Sequence, residues 1–214
     1  MEKKTFQRAI QIIFLALFIL LIIKGRVQLW MGVFLLGIVS SFILGRIYCG
    51  WFCSINTSLI GVTWIKKKLK IKSIKIPKFF TKSWVRYLGL GLFVLVFMFT
   101  MITGKKLPVL PIMFVLGILF TFIFPEELWH RYLCPYGTIL HLPAKTSKFS
   151  MIVDADKCNN CGVCMRVCPA KAIEKFDDHH KIIKNDCLIC MECSRKCKQE
   201  AISYKKVNEE ISSI

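Results

Sequence analysis

Cys158-Asn159-Asn160-Cys161-Gly162-Val163-Cys164-Met165-Arg166-Val167-Cys168-Pro169 and Cys187-Leu188-Ile189-Cys190-Met191-Glu192-Cys193-Ser194-Arg195-Lys196-Cys197 carry one spacing twice, C-x2-C-x2-C-x3-C. A tight loop can offer three thiolates to three corners of an iron–sulfur cubane, and the fourth iron is held by a thiolate from further along. In two-cluster ferredoxins that fourth Cys crosses to the other cluster. The spacing therefore predicts two 4Fe–4S clusters. The first falls on Cys158, Cys161, Cys164 and Cys197, the second on Cys187, Cys190, Cys193 and Cys168. Zinc sites end in paired C-x2-C arms or recruit His, and neither they nor disulfides match two such runs.

The surroundings of the two runs are also duplicated, each ending in an Ala-Ile pair (Ala172-Ile173 and Ala201-Ile202). Short apolar stretches at Met151-Ile152-Val153, Ile182-Ile183 and Ile202-Ser203-Tyr204 read as strands around two short helices. This is the βαββαβ pattern of a small α+β two-cluster ferredoxin domain over 150–208, with a tail at 209–214. So small a module has little core, and it is expected to unfold without iron. Asp177-Asp178-His179-His180 falls where a hairpin turn belongs and reads as solvated.

The rest of the chain is of another kind. Of 214 residues 55% are hydrophobic, and the net charge of +18 resides almost wholly in 1–149. Four apolar stretches, 6–23, 27–44, 84–103 and 107–124, each approach the ~20 residues of a membrane-crossing helix. They predict an α-helical membrane bundle of about four helices in two repeated hairpins, a membrane domain over 1–144 and a linker at 145–149. The stretch 51–65 is short and contains Ser54, Asn56, Thr57 and Ser58. It reads as an interfacial or partly buried helix. Lys66, Lys67, Lys68, Lys70, Lys72, Lys75, Lys78 and Lys82 crowd the central loop, against Lys105 and Lys106 in the third. The positive-inside bias then puts that loop and both termini in the cytoplasm, where thiols stay reduced. The basic excess lies between apolar spans, so it points to the lipid bilayer and away from nucleic acid.

No acidic residue occurs between Lys3 and Pro125, and the only histidines are His130, His141, His179 and His180. A haem held by two histidines among the spans is excluded, and an ion pump lacks its carboxylates. The chain has no Gly-x-Gly-x-x-Gly motif, so flavin or NAD would have to come from a partner.

The membrane half repeats a cysteine motif after each hairpin: Gly45-Arg46-Ile47-Tyr48-Cys49-Gly50-Trp51-Phe52-Cys53 and Trp129-His130-Arg131-Tyr132-Leu133-Cys134-Pro135-Tyr136-Gly137. Aligning Cys53 with Cys134 sets Thr57 opposite Thr138 and Cys49 opposite His130. Cys49, Cys53, His130 and Cys134 form a candidate additional site for a metal or cluster; thiol redox and packing near a quinone are the alternatives. These motifs resemble those of the NapH/NosR-type family of membrane-bound 4Fe–4S proteins, from the first span to the second cluster loop. Ser54 replaces the proline of the first family motif, His130 replaces the first cysteine of the second, and Lys198 replaces a proline after the last ferredoxin cysteine. The resemblance implies a non-autonomous electron-transfer subunit of a quinol dehydrogenase-type oxidoreductase in a prokaryotic inner membrane, and it assigns no catalytic residue. Its partners would be quinone or quinol and a protein redox partner. The alternatives are an electron-donating assembly or regulatory factor for a metalloenzyme, and a metal-handling protein built on the membrane motif.

Overall fold

Helix α1 (Glu2–Ile23) ends where glycine lets the chain reverse. Gly25 takes φ +65°, its N–H bonds the Ile22 carbonyl at 3.0 Å, and the Arg26 N–H bonds that of Leu21 at 2.9 Å, the paired bonds of a Schellman cap. The computed structural model describes residues 2–103 and 108–207. Lys105, Lys106 and Leu107 of the sequence reading, and the 209–214 tail, lie outside the described residues. The chain folds as two units that interleave in sequence: Met1–Val33 with Phe52–Ile139, and Phe34–Trp51 with Leu140–Ile214.

After α1 come α2 (Trp30–Leu44), α3 (Ile47–Trp51), α4 (Ser54–Lys68), α5 (Ser83–Thr103) and α6 (Val109–Ile123). A π-helical turn (Leu128–Leu133) and α7 (Pro135–Lys145) follow. The helix expected over 51–65 begins at Ser54, after an extended Cys53 (φ −75°, ψ 113°), and α4 is partly buried through Ile55, Asn56 and Leu59. In the first unit α4 packs on α1 and α6, around buried Phe18, Trp30, Ile55, Leu59 and Trp129. Phe14 and Phe18 meet the Trp30 ring edge-on. Lys66, buried at the end of α4, donates to the Thr121 and Phe124 carbonyls at 2.8 and 3.2 Å and so closes the C-terminal end of α6.

Two stretches, Lys4–Ile23 and Val27–Leu44, are long and apolar enough to cross a membrane; Trp84–Thr100 and Val109–Ile123 are apolar but shorter. Their polarity runs inside out. On α1 Gln7 and Gln11 are buried while Ile12 and Ile13 are 62% exposed. On α2 Ser41 is buried and Leu36 and Val39 are exposed; on α6 Thr121 is buried and Leu119 and Phe122 are exposed. Water selects the opposite arrangement, whereas polar side chains turned inward under an apolar outer face suit a hydrocarbon surrounding.

In the second unit β1 (Phe149–Val153) pairs antiparallel with β4 (Ile202–Lys206), and β2 (Ile173–Phe176) with β3 (His179–Ile182). Short helices α8 (Val163–Val167) and α9 (Glu192–Lys196) precede β2 and β4. Their common core is Met151, Cys164, Ile173, Cys193 and Ile202.

Close packing inside the first unit hangs on Gly117 of α6, where a Cβ would stand 3.1 Å from both Ile55 and the Trp129 ring. Gly117→Val is expected to destabilise the protein by about 1–3 kcal/mol through overpacking, read as an earlier thermal transition in detergent.

Candidate iron–sulfur centres

The eight cysteines of the two runs gather into two sets. Cys168, Cys187, Cys190 and Cys193 line one cavity, together with Met151, Ile173 and Leu188. Cys158, Cys161, Cys164 and Cys197 line the other, with Val153, His180 and Ile202. Each set takes three thiols from one run and the fourth from the other.

The loops that make these cavities share a backbone conformation L-residues seldom adopt. Asn160 and Ile189 have φ +53°, Gly162 and Met191 have φ +69° and +60°, and Lys171 and Glu200 have φ +49° and +51°. Each pair occupies equivalent places in the two runs. Left-handed residues among ordinary ones make a concavity of inward N–H groups, a form suited to anions and iron–sulfur centres. Here the Ala172 N–H donates to Cys168 Sγ at 3.3 Å and the Ile189 N–H to Cys187 Sγ at 3.5 Å. Desolvation pushes the Cys187 thiol up to about 12, and drives those of Cys190 and Cys193 up as well. Such a set is held ionised only by bound cations, so loading iron must release protons.

Among the described residues no group of three or more His, Cys, Asp or Glu side chains stands close enough to hold one metal ion. A cubane gives each thiolate its own iron, so the two cysteine sets suit a cubane better than a single zinc. The same finding extends to Cys53, His130 and Cys134, which the structure places in the first unit, with Cys49 in the second.

The two membrane-half motifs nevertheless share local geometry. Cys53 and Cys134 are both extended (ψ 113° and 109°) immediately before a helix. Each carbonyl accepts from the hydroxyl and the N–H of the threonine four residues on: Thr57 to Cys53 and Thr138 to Cys134, all at 3.1 Å. Gly137 N–H adds a bond to Cys134 Sγ at 3.4 Å. Burial, with Cys134 and Cys53 nearby, raises the Tyr136 hydroxyl above its usual range.

Sequence reasoning placed His180 in a solvated turn. The turn is Asp177 and Asp178 alone; His180 is in β3, buried, with Nδ1 4.0 Å from Cys158 Sγ. Burial first, then Lys175 and His179, lowers its pKa, so it stands there as neutral imidazole. Its alternation in His179-His180-Lys181-Ile182 was the available signal. His141 lies 2.9 Å from Asn185 Nδ2 and 3.1 Å from Asp186 Oδ1.

Comparison with known proteins gives the family. A 4Fe-4S dicluster domain matches residues 150–211, and a 4Fe-4S binding domain matches twice, at 28–72 and 107–152. An uncharacterized protein of Methanocaldococcus jannaschii is 32% identical over 183 residues, 79% of this chain and 68% of that one. The ferredoxin-type protein NapH of Haemophilus influenzae is 26% identical over 184 residues, 74% of this chain and 62% of its own. The chain belongs to the NapH/NosR-type 4Fe–4S ferredoxin family. YccM of Escherichia coli, whose name assigns it to electron transport, is 26% identical over 185 residues, 75% of this chain and 51% of that one. No solved structure matches. Membership makes this an iron–sulfur electron-transfer protein, and the doubled family match covers the second apolar stretch of each hairpin together with the cysteine motif that follows it.

Glu200 is exposed and left-handed at φ +51°, a conformation that costs an L-residue about 1 kcal/mol. Glu200→Gly is therefore expected to raise the midpoint of thermal unfolding of the iron-loaded protein slightly, measured anaerobically.

Proposed function

We propose that this protein is a multi-pass membrane subunit that exchanges single electrons between the quinone pool and a protein partner through two 4Fe–4S clusters. The observation that carries the reading is the division of eight thiols into two cavities, each completed by a cysteine of the opposite run. On this reading Cys158, Cys161, Cys164 and Cys197 hold the first cluster, and Cys187, Cys190, Cys193 and Cys168 the second, within a βαββαβ module over 150–208. The clusters supply one-electron chemistry; the chain binds them, shields them from water and directs N–H groups at their sulfurs.

Four spans with both termini cytoplasmic complete the proposal. Inverted polarity on α1, α2 and α6 supports it, as does the run of lysines between the second and third apolar stretches. The linker at 145–149 is short, which keeps the module near the bilayer. Quinone is the diffusible partner that the family resemblance implies.

Cys161→Ser and Cys190→Ser are each expected to lose about half of the bound iron, each from a different centre. Cys197→Ser should deplete the centre lost in Cys161→Ser, and Cys168→Ser the one lost in Cys190→Ser; the reverse pairing would overturn the crossed ligand sets. Removing iron with a chelator is expected to unfold the 150–208 module, seen as loss of its β signal by circular dichroism. Anaerobic mixing of the oxidised protein with a menaquinol analogue, and of the reduced protein with the quinone, should change the cluster EPR signal in at least one direction. Intact clusters that exchange with neither would remove quinone from the reading.

A further inference from the structure

The turn after α2 and helix α3 belong to the same unit as the cysteine runs, and nothing in the exchange proposed above uses them. Their approach to the second run is through backbone. A Cβ on Gly50 would collide with the Leu188 carbonyl oxygen, and one on Gly45 would stand 2.9 Å from Ile189 Cδ1. Trp51 Nε1–H donates to the Ile189 carbonyl at 3.2 Å. Arg46 Nη1 donates to the carbonyls of Asn185 and Asp186 at 3.3 and 3.5 Å, the two residues before Cys187. Its Nη2 reaches Cys49 Sγ at 3.8 Å, and the Tyr204 hydroxyl fastens the end of α2 by donating to the Leu44 carbonyl at 2.9 Å.

Arg46 is 1% exposed, and its Nε–H finds no acceptor among the described residues. A guanidinium keeps its charge at any ordinary pH, so burying one is costly unless an anion lies nearby. The Asp186 carboxylate is already engaged at 3.1 Å by His141. A 4Fe–4S centre on four thiolates is anionic and gains further negative charge when reduced. Its potential therefore depends on nearby charge and on solvent.

We propose that the Gly45–Trp51 segment is the seat of the second cluster, and that Arg46 is the positioning residue that keeps this buried centre reducible. The proposal rests on the two-cubane reading above. Leu188 and Ile189 of the second run are buried, whereas Asn159 and Cys161 of the first run are exposed. Water can stabilise added negative charge at the first centre. At the second that stabilisation is lost, and a fixed buried cation offsets the loss. The segment thereby gives the Arg-x-x-Cys-Gly-Trp part of the first membrane motif a role: glycine for closeness, Trp51 for fixing the loop, Arg46 for charge.

The test is a redox titration followed by EPR on full-length, detergent-purified protein with its iron counted. The second centre is identified as the one that survives in a Cys161→Ser background. Arg46→Gln with full iron is expected to weaken reduction of the second centre about tenfold or more, a fall of about 59 mV for one electron, and to leave the first unchanged. Arg46→Lys should restore most of the shift. Both centres unmoved, or both moved equally, would overturn the proposal. Loss of iron from the second centre alone in Arg46→Gln would support the seat. If that variant loses all its iron, Arg46→Lys decides: iron and second-centre potential largely restored by the retained charge support the proposal, and iron lost as in Arg46→Gln rejects it. Unaltered protein with iron well below two cubanes would instead defeat the two-cluster reading itself.

Discussion

The module that carries the cysteine runs has too little apolar material to hold itself together. Its core is five side chains, and two of them, Cys164 and Cys193, are thiols that also line the cavities. Four short strands form two separate two-stranded ladders, a form that is marginal without something to pack on. The left-handed residues at Asn160, Ile189 and Met191 add backbone strain. Whatever fills the cavities must supply the cohesion, which makes cofactor retention and folding one equilibrium.

The helical part solves a different problem. Its buried positions include Gln7, Gln11, Ser41, Ser54, Asn56 and Thr121, and its outer faces are aliphatic. Ser54 Oγ at the start of α4 donates to the Phe14 carbonyl of α1 at 3.4 Å. Polar bonds of this sort hold helices together where the surroundings are as apolar as leucine and burial of hydrocarbon gives no advantage.

What the sequence made legible was local. The cysteine sets follow from spacing within a dozen residues, and the repeat of the membrane motif from matching Cys53 with Cys134 and Thr57 with Thr138. What it concealed depends on contacts far apart in the chain. Nothing near Arg46 in sequence announces Asn185 and Asp186, and nothing near Trp51 announces Ile189. His180 looked like part of a polar turn because four polar residues stand together, yet strand alternation turns it inward. The break at Cys53 was hidden for a similar reason: an apolar run with a few hydroxyl residues gives no sign of where one helix stops and the next begins. Family membership rests on the pattern that was legible, and the inferred seat of the second cluster on what was not.

The interleaving of the two cysteine sets has a consequence for synthesis. The first cavity is closed by Cys197, the last cysteine of the chain. The second draws Cys168 from the earlier run but must wait for Cys193. A ribosome that has made the first run alone has produced neither cavity. β1 likewise has no partner until Ile202–Lys206 has emerged. Arg46 and Gly50, by contrast, are made long before either run. Neither cysteine set, nor the contacts that tie Arg46 and Trp51 to the second run, can therefore be complete until most of the sequence has left the tunnel.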